Sequence, residues 1–226
     1  MTVFSTSHLI QEIRDYQTKN SELLEKSHHF VFDCPFKVGE VNKPEYVWMG
    51  LNPGSDLGDW EKTHGQNDEE SRDRDFQEIF SRSRGSKTRQ TKIKKFLGEE
   101  IFKATTLTEV FFWCSKNLQD DFKMRYGTSF QSSPHLEFCL KMNRKLFDLI
   151  NPKAIFFESL PNIDILRNFF FLEKIDFYNV GTRRIDEWMI DGKYRLLNFD
   201  HLSSGPPASL ERTQVSEMIR RLILEK

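Results

Sequence analysis

Cysteine is scarce in this chain of 226 residues. Cys34, Cys114 and Cys139 are an odd, widely spaced trio with no Cys-x-x-Cys unit. That spacing argues against a zinc site or an iron–sulfur cluster, so no metal and no other cofactor is expected, and the three are read as reduced thiols. Long apolar runs are also missing. Nothing approaches the roughly 18 residues of a membrane span, and the N-terminus has no apolar signal region. The expectation is a soluble intracellular protein without a membrane partner, cytoplasmic, or nuclear in a eukaryote. Net charge is nearly absent as well, at −1. A chain so balanced has no global attraction to nucleic acid, and any such binding must come from where its charges sit. There is no internal repeat, low-complexity tract or change of composition, which predicts one domain over residues 1–226, acting as a monomer.

What is present is enough apolar material for one sizeable core, 38% of the residues, with 21 phenylalanines. Two stretches stand out. In the first, Tyr46 to Met49 is apolar and is followed by Gly50-Leu51-Asn52-Pro53-Gly54. The apolar part suits a strand buried on both faces, and Asn-Pro-Gly must turn, which brings Asn52 to the strand's carboxyl end. Ligands of open α/β sheets bind at that edge. The competing role for Asn52 is to cap its own turn. In the second stretch, Tyr194 to Phe199 again reads as a strand and runs into Asp200-His201-Leu202-Ser203-Ser204-Gly205-Pro206-Pro207.

This pair of motifs, Gly50 to Gly54 early and His201-Leu202-Ser203 late, resembles the uracil-DNA glycosylase superfamily, closest to its mismatch-specific and single-strand-selective branches. Gly50-x-Asn52-Pro53-Gly54 matches the family's first motif without a gap. The second match departs at Leu202, where the family usually has Pro, and the loop from Ser204 to Ala208 is not a standard family loop. The resemblance implies a three-layer α/β/α sandwich around a short, mainly parallel four-stranded sheet, with the cleft at the strands' carboxyl ends. It also implies a monofunctional enzyme that flips a pyrimidine out of DNA and hydrolyses its N-glycosidic bond. Asn52 would orient the attacking water and His201 would stabilise the departing base. Gly50, Leu51, Pro53, Gly54 and Ser203 would line the pocket, and Trp60, in the loop overhanging the strand end, would stack on the base or plug the sheet edge. Where the family reads uracil with an Asn, the nearest residues are Glu109 and Asn117. An ionised Glu109 would accept from an exocyclic amine and not from a carbonyl, which favours a cytosine-type or modified pyrimidine over uracil. Its other role is a surface salt bridge.

Periodicity places the remaining elements. An N-terminal helix carries Leu9, Ile10, Ile13, Tyr16, Leu23 and Leu24, and Phe76, Ile79 and Phe80 mark another helical face. A further face runs through Ile93, Phe96, Leu97, Ile101 and Phe102 with a break at Gly98. Leu107 to Cys114 reads as a strand, Pro134 to Ile150 as the clearest helix, and Ala154 to Glu158 as a buried strand. Pro161 to Phe171 suits a short helix, Asp191-Gly192 a hairpin turn, and Ser209 onward a last helix. Between Arg82 and Lys95 basic residues accumulate without an acid. Arg82, Arg84, Lys87 and Arg89 are therefore candidates for DNA phosphates, against a solvated helix face. Ser204 belongs with them, and Leu202, Pro206, Pro207 and Leu210 are candidates for a wedge entering the space the base leaves.

Two other classes remain open from the sequence: a catalytically silent DNA-binding member of the same fold, and a nucleotide-phosphate enzyme using the Asn52-Pro53-Gly54 turn. The latter lacks a Walker-type Lys and a dinucleotide Gly fingerprint.

Overall fold

The computed structural model describes residues 6–20, 44–52, 84–113, 115, 117–201 and 209–224, without the side chains of 7, 84–88, 209 and 210. Its centre is a six-stranded sheet in the order β2-β1-β3-β6-β5-β4. The strands are β1 (Tyr46–Gly50), β2 (Thr105–Glu109), β3 (Ala154–Phe157), β4 (Leu172–Val180), β5 (Arg183–Ile190) and β6 (Tyr194–Phe199). The contiguous set β2-β1-β3-β6 is parallel, and β5 and β4 add to it antiparallel.

The sheet is therefore mixed and has six strands where four were expected. The strand that the sequence concealed is β4. It is an edge strand whose residues from Glu173 to Phe177 are all exposed, so it shows neither alternation nor an apolar run. The hairpin turn at Asp191-Gly192 is as expected: both residues have positive φ, 52° and 65°, as a type I′ turn between twisted strands requires.

Period-2 alternation divides the core between the two faces of the sheet. Val47, Met49, Ile155, Phe157 and Leu196 pack against α1 (Ser7–Lys19), α4 (Asp120–Tyr126), α5 (Pro134–Ile150) and α6 (Ile163–Arg167). Tyr46, Trp48, Phe156, Leu197 and Phe199 face α2 (Arg84–Leu97), α3 (Glu99–Lys103) and α7 (Ser209–Leu224). Helices thus cover both faces, and strands buried on both sides read as continuous apolar runs, as β1 and β3 do.

Local chemistry sets the ends of these elements. Ser133 accepts from the His135 amide and Pro134 takes the first turn of α5, whose far end is closed by Asn151 at φ 52°. At Gly98 the backbone takes φ 84°, and there α2 gives way to α3. Strand β2 stops at Glu109, earlier than the expected Cys114. Val110 and Phe111 donate to the carbonyls of Gly50 and Leu51 as β1 ends. Phe111, Phe112 and Trp113 then turn into the aromatic core beside Phe122, Tyr126 and Phe130. The expected helix over Pro161–Phe171 is a 3₁₀ turn at Leu160–Asn162 followed by α6. Leu23, Leu24, Phe76, Ile79 and Phe80 lie outside the described residues.

Candidate functional site

In register, Gly50 of β1 stands beside Glu109 of β2, and Met49 beside Phe157 of β3. The Glu158 amide, next after β3, donates to the Met49 carbonyl. The carboxyl edge of the sheet therefore presents Glu109, Gly50 and Glu158 in a row, followed by the end of β6, where Asp200 and His201 leave the sheet. Both sequence motifs open on this edge. Asn52 follows β1 and His201 follows β6, with β3 between their strands.

The row is closed by a residue from α2. Arg89 donates from Nη1 to Glu109 Oε1, and from Nη2 to Glu158 Oε1 at 3.0 Å. Glu109 is 0% exposed and Glu158 is buried, whereas a quarter of the Arg89 side chain reaches solvent. One guanidinium thus bridges two buried carboxylates across Gly50. A β-carbon at Gly50 would collide with Arg89 Nη2 and Glu109 Oε2, so the close approach of these head groups depends on glycine.

Burial disfavours the charged form of Glu109 and the charge of Arg89 only partly offsets this, leaving its pKa at about 7. Arg89 stays charged, because the two carboxylates outweigh the cost of its own burial and raise its pKa further. The asymmetry follows from the count of charges, since one cation is shared by two acids. Glu109 Oε2 is buried and has no hydrogen-bond partner among the described residues. Its main-chain carbonyl is held by Asn143 Nδ2 at 2.8 Å, and Asn143 Oδ1 accepts from Thr108 at 2.7 Å, which ties β2 to α5 behind the site.

Asn52 is half-buried and its Nδ2 donates to the Ser115 carbonyl at 2.8 Å. That bond joins the segment after β1 to the segment after β2 and, because the amide is planar, turns its oxygen away from Ser115. His201 is 52% exposed, with Nε2 3.8 Å from Glu158 Oε1, an ion-pair distance longer than a hydrogen bond.

Asn117 is exposed and serves the chain locally. Its Oδ1 accepts from the amides of Gln119 and Asp121 as α4 begins. Leu51 packs against the core cluster on the α5 face. Arg84 and Lys87 lie on α2 and their side chains are outside the description. Pro53, Gly54, Trp60, Arg82, Leu202, Ser203, Ser204, Pro206 and Pro207 are outside the described residues.

Glu158 is not singled out by any sequence motif, and Arg89 is grouped by charge with Arg82, Arg84 and Lys87 as a candidate for DNA phosphates. Two signals bear on these. Arg89, Ile93, Phe96 and Leu97 recur at helical spacing, which puts the arginine on the apolar stripe of α2, and Glu158 is the charge that ends the apolar run of β3. Among the described residues no group of three or more His, Cys, Asp or Glu side chains is arranged to hold a metal ion, and no described helix is long and apolar enough to cross a membrane.

The fold and site define an α/β domain with a polar, partly buried constellation at the carboxyl edge of its parallel strands. Comparison of the sequence with models of known families and with curated proteins gives no match.

Proposed function

We propose that this protein is a DNA glycosylase of the uracil-DNA glycosylase type, acting on a damaged or modified pyrimidine. The observation that carries the reading is the placement of Asn52 and His201 on one sheet edge, just after two strands that flank β3. The parallel run β2-β1-β3-β6 inside the mixed six-stranded sheet, with the site at its carboxyl edge, supports the reading. In this reading the target nucleotide leaves the base stack, at a cost of a few kcal/mol, and enters the edge above Gly50. Water attacks C1′ of the deoxyribose, the N-glycosidic bond breaks, and its electron pair departs with the base. His201 donates toward the pyrimidine O2 as negative charge develops there. The Asn52 oxygen orients the water but, being an amide, does not take its proton, which is released to solvent after attack while the departing base anion takes up a proton in turn. The fixed contact of Asn52 Nδ2 with Ser115 suits that role.

Glu109, fully buried beneath the Arg89 guanidinium, is the group that would tell bases apart once Arg89 swings off it to admit the base. With a pKa of about 7 it exists in both forms near neutrality. Ionised, it accepts from an exocyclic amine such as cytosine N4; protonated, it donates to a carbonyl such as uracil O4. At and above neutral pH the reading favours amino-bearing pyrimidines, with one good pairing contributing roughly 1–3 kcal/mol of discrimination.

A catalytically silent DNA-binding member of the same fold is the second reading. One observation favours it: the Arg89 guanidinium lies in the space a β-carbon of Gly50 would take, where a base would also have to sit. Incubation with oligonucleotides carrying uracil, cytosine or C5-substituted cytosine, followed by alkali, separates the two. Strand breaks at the modified position support the glycosylase, and binding without breaks supports the silent form.

A further inference from the structure

Asn52 is fastened to the segment that follows β2, and that segment is anchored in turn. Ser115, whose carbonyl takes the Asn52 Nδ2 bond, is buried. Its hydroxyl donates to the Asn117 carbonyl and lies 3.3 Å from Asp121 Oδ2, so one proton is shared between two acceptors. Asp121 Oδ2 also accepts from Arg125 Nε at 2.8 Å, one turn further along α4, and both side chains are largely buried. Asn117 Oδ1, which accepts from the Gln119 and Asp121 amides, closes the same stretch over the start of α4.

Helix α4 is held to the core by Phe122 and Tyr126, which pack against Phe111, and Phe122 also meets Phe130. A line of support thus runs from the aromatic core through Asp121 to Ser115, and from there to Asn52. The need for it lies in the chemistry of the amide. The last torsion of an asparagine side chain is broad, and turning it over exchanges the oxygen for the NH2 group. The oxygen accepts a hydrogen of a water and leaves the water's lone pairs for attack, whereas the NH2 group donates to a lone pair and withdraws it. The Ser115 carbonyl accepts only from the NH2 end, which selects the orientation with the oxygen on the other side.

We propose that Ser115 and Asp121 are positioning residues that select the orientation of the Asn52 amide and so keep its oxygen turned to the attacking water. The consequence for base release rests on the glycosylase reading; the anchoring of Asn52 does not. Both residues act through the Ser115 carbonyl, and neither needs to touch the base. Asp121 serves better than an exposed acceptor would, because its buried pairing with Arg125 fixes the carboxylate that Ser115 meets. Loss of the support should lower kcat about tenfold with KM unchanged, short of the roughly hundredfold that a misplacement of about 1 Å costs.

The test follows the side-chain amide of Asn52 by 1H–15N NMR, its signals identified by their loss in Asn52→Ala. Hydrogen exchange of that amide is compared in wild type, Ser115→Ala, Asp121→Ala and Asp121→Asn, and kcat and KM for base release are measured on the same proteins with uracil, cytosine and C5-substituted cytosine oligonucleotides. Wild type should show a slowly exchanging Nδ2 proton, and both alanine variants a fast one. Asp121→Asn keeps an acceptor oxygen and should restore the protection that Asp121→Ala loses. Loss of protection together with a fall in kcat at constant KM supports the proposal. Unchanged protection in folded alanine variants overturns it, and so does lost protection with wild-type kcat. Ser115→Ala carries the test should Asp121→Ala, which removes a partner of buried Arg125, not fold. Changes in amide protection in a wild type that releases no base leave the anchoring of Asn52 standing while the glycosylase reading fails, and base release with unchanged protection removes this inference alone.

Discussion

Glu109→Gln should change how the stability of the fold depends on pH. In the folded chain the Glu109 carboxyl has a pKa of about 7 against an ordinary 4.5, so the folded state holds its proton longer than the unfolded state does. Stability from this residue is therefore present below pH 4.5 and is lost as pH rises through the window to 7. The gap of about 2.5 pH units corresponds to roughly 3 kcal/mol, a figure that applies because Glu109 is fully buried and not screened by solvent. The physical source is a buried carboxylate that shares Arg89 with Glu158 and keeps Oε2 without a partner among the described residues. The glutamine amide of the variant has no charge to lose or gain. Urea unfolding of both proteins between pH 4 and 8 gives the difference in stability at each pH, which cancels the titration of groups not coupled to the Glu109, Arg89 and Glu158 cluster. Wild type should lose roughly 3 kcal/mol relative to the variant across the window, most of it between pH 4.5 and 7. Parallel curves would refute the reasoning, because they would mean that Glu109 titrates alike in both states.

Gly50→Ala puts a methyl group onto the head groups of Arg89 and Glu109 and should cost about 1–3 kcal/mol in urea unfolding; a neutral substitution would show that the ion pair yields without loss. Asn143→Ala removes the acceptor of Thr108 and the donor to the Glu109 carbonyl inside the core and should cost roughly 2–3 kcal/mol, and a loss below about 0.5 kcal/mol would contradict the bonding described. His201→Ala and Asn52→Ala should each slow base release about a hundredfold, the scale of one transition-state donor, with little effect on folding for the half-exposed His201. Wild-type turnover in both variants would remove them from the chemistry.

The positions of Asn52 and His201 at strand ends were legible because largely apolar stretches ending in turn residues leave few alternatives: Tyr46 to Met49 before Asn52-Pro53-Gly54, and Leu196, Leu197 and Phe199 before Asp200-His201. Helix α5 was equally plain, with Ser133-Pro134 opening it and Asn151-Pro152 closing it. The edge strand β4 was hidden because exposure on both faces removes the pattern that marks a strand. Strand β2 was read too long because Val110 to Trp113 are as apolar and aromatic as a strand interior yet turn into the core. The union of Glu109, Arg89 and Glu158 was not legible as a cluster: its members lie 20 and 49 residues apart in sequence, the parallel register of β2, β1 and β3 brings Glu109 and Glu158 to one row, and Arg89 reaches it from α2. Asn117, read as a possible base contact, sits where its side chain serves the start of α4.

The most direct measurement is base release itself. Wild type, His201→Ala and Asn52→Ala are incubated with oligonucleotides bearing uracil, cytosine and C5-substituted cytosine at about pH 6 and about pH 8, on either side of the Glu109 pKa, then treated with alkali and resolved by length. The expected result is breaks at a modified pyrimidine with wild type, about a hundredfold slower in each variant, and a shift toward amino-bearing bases at the higher pH as Glu109 ionises. Absence of breaks on every substrate, with the oligonucleotides bound, would contradict the glycosylase assignment and leave a DNA-binding protein of this fold.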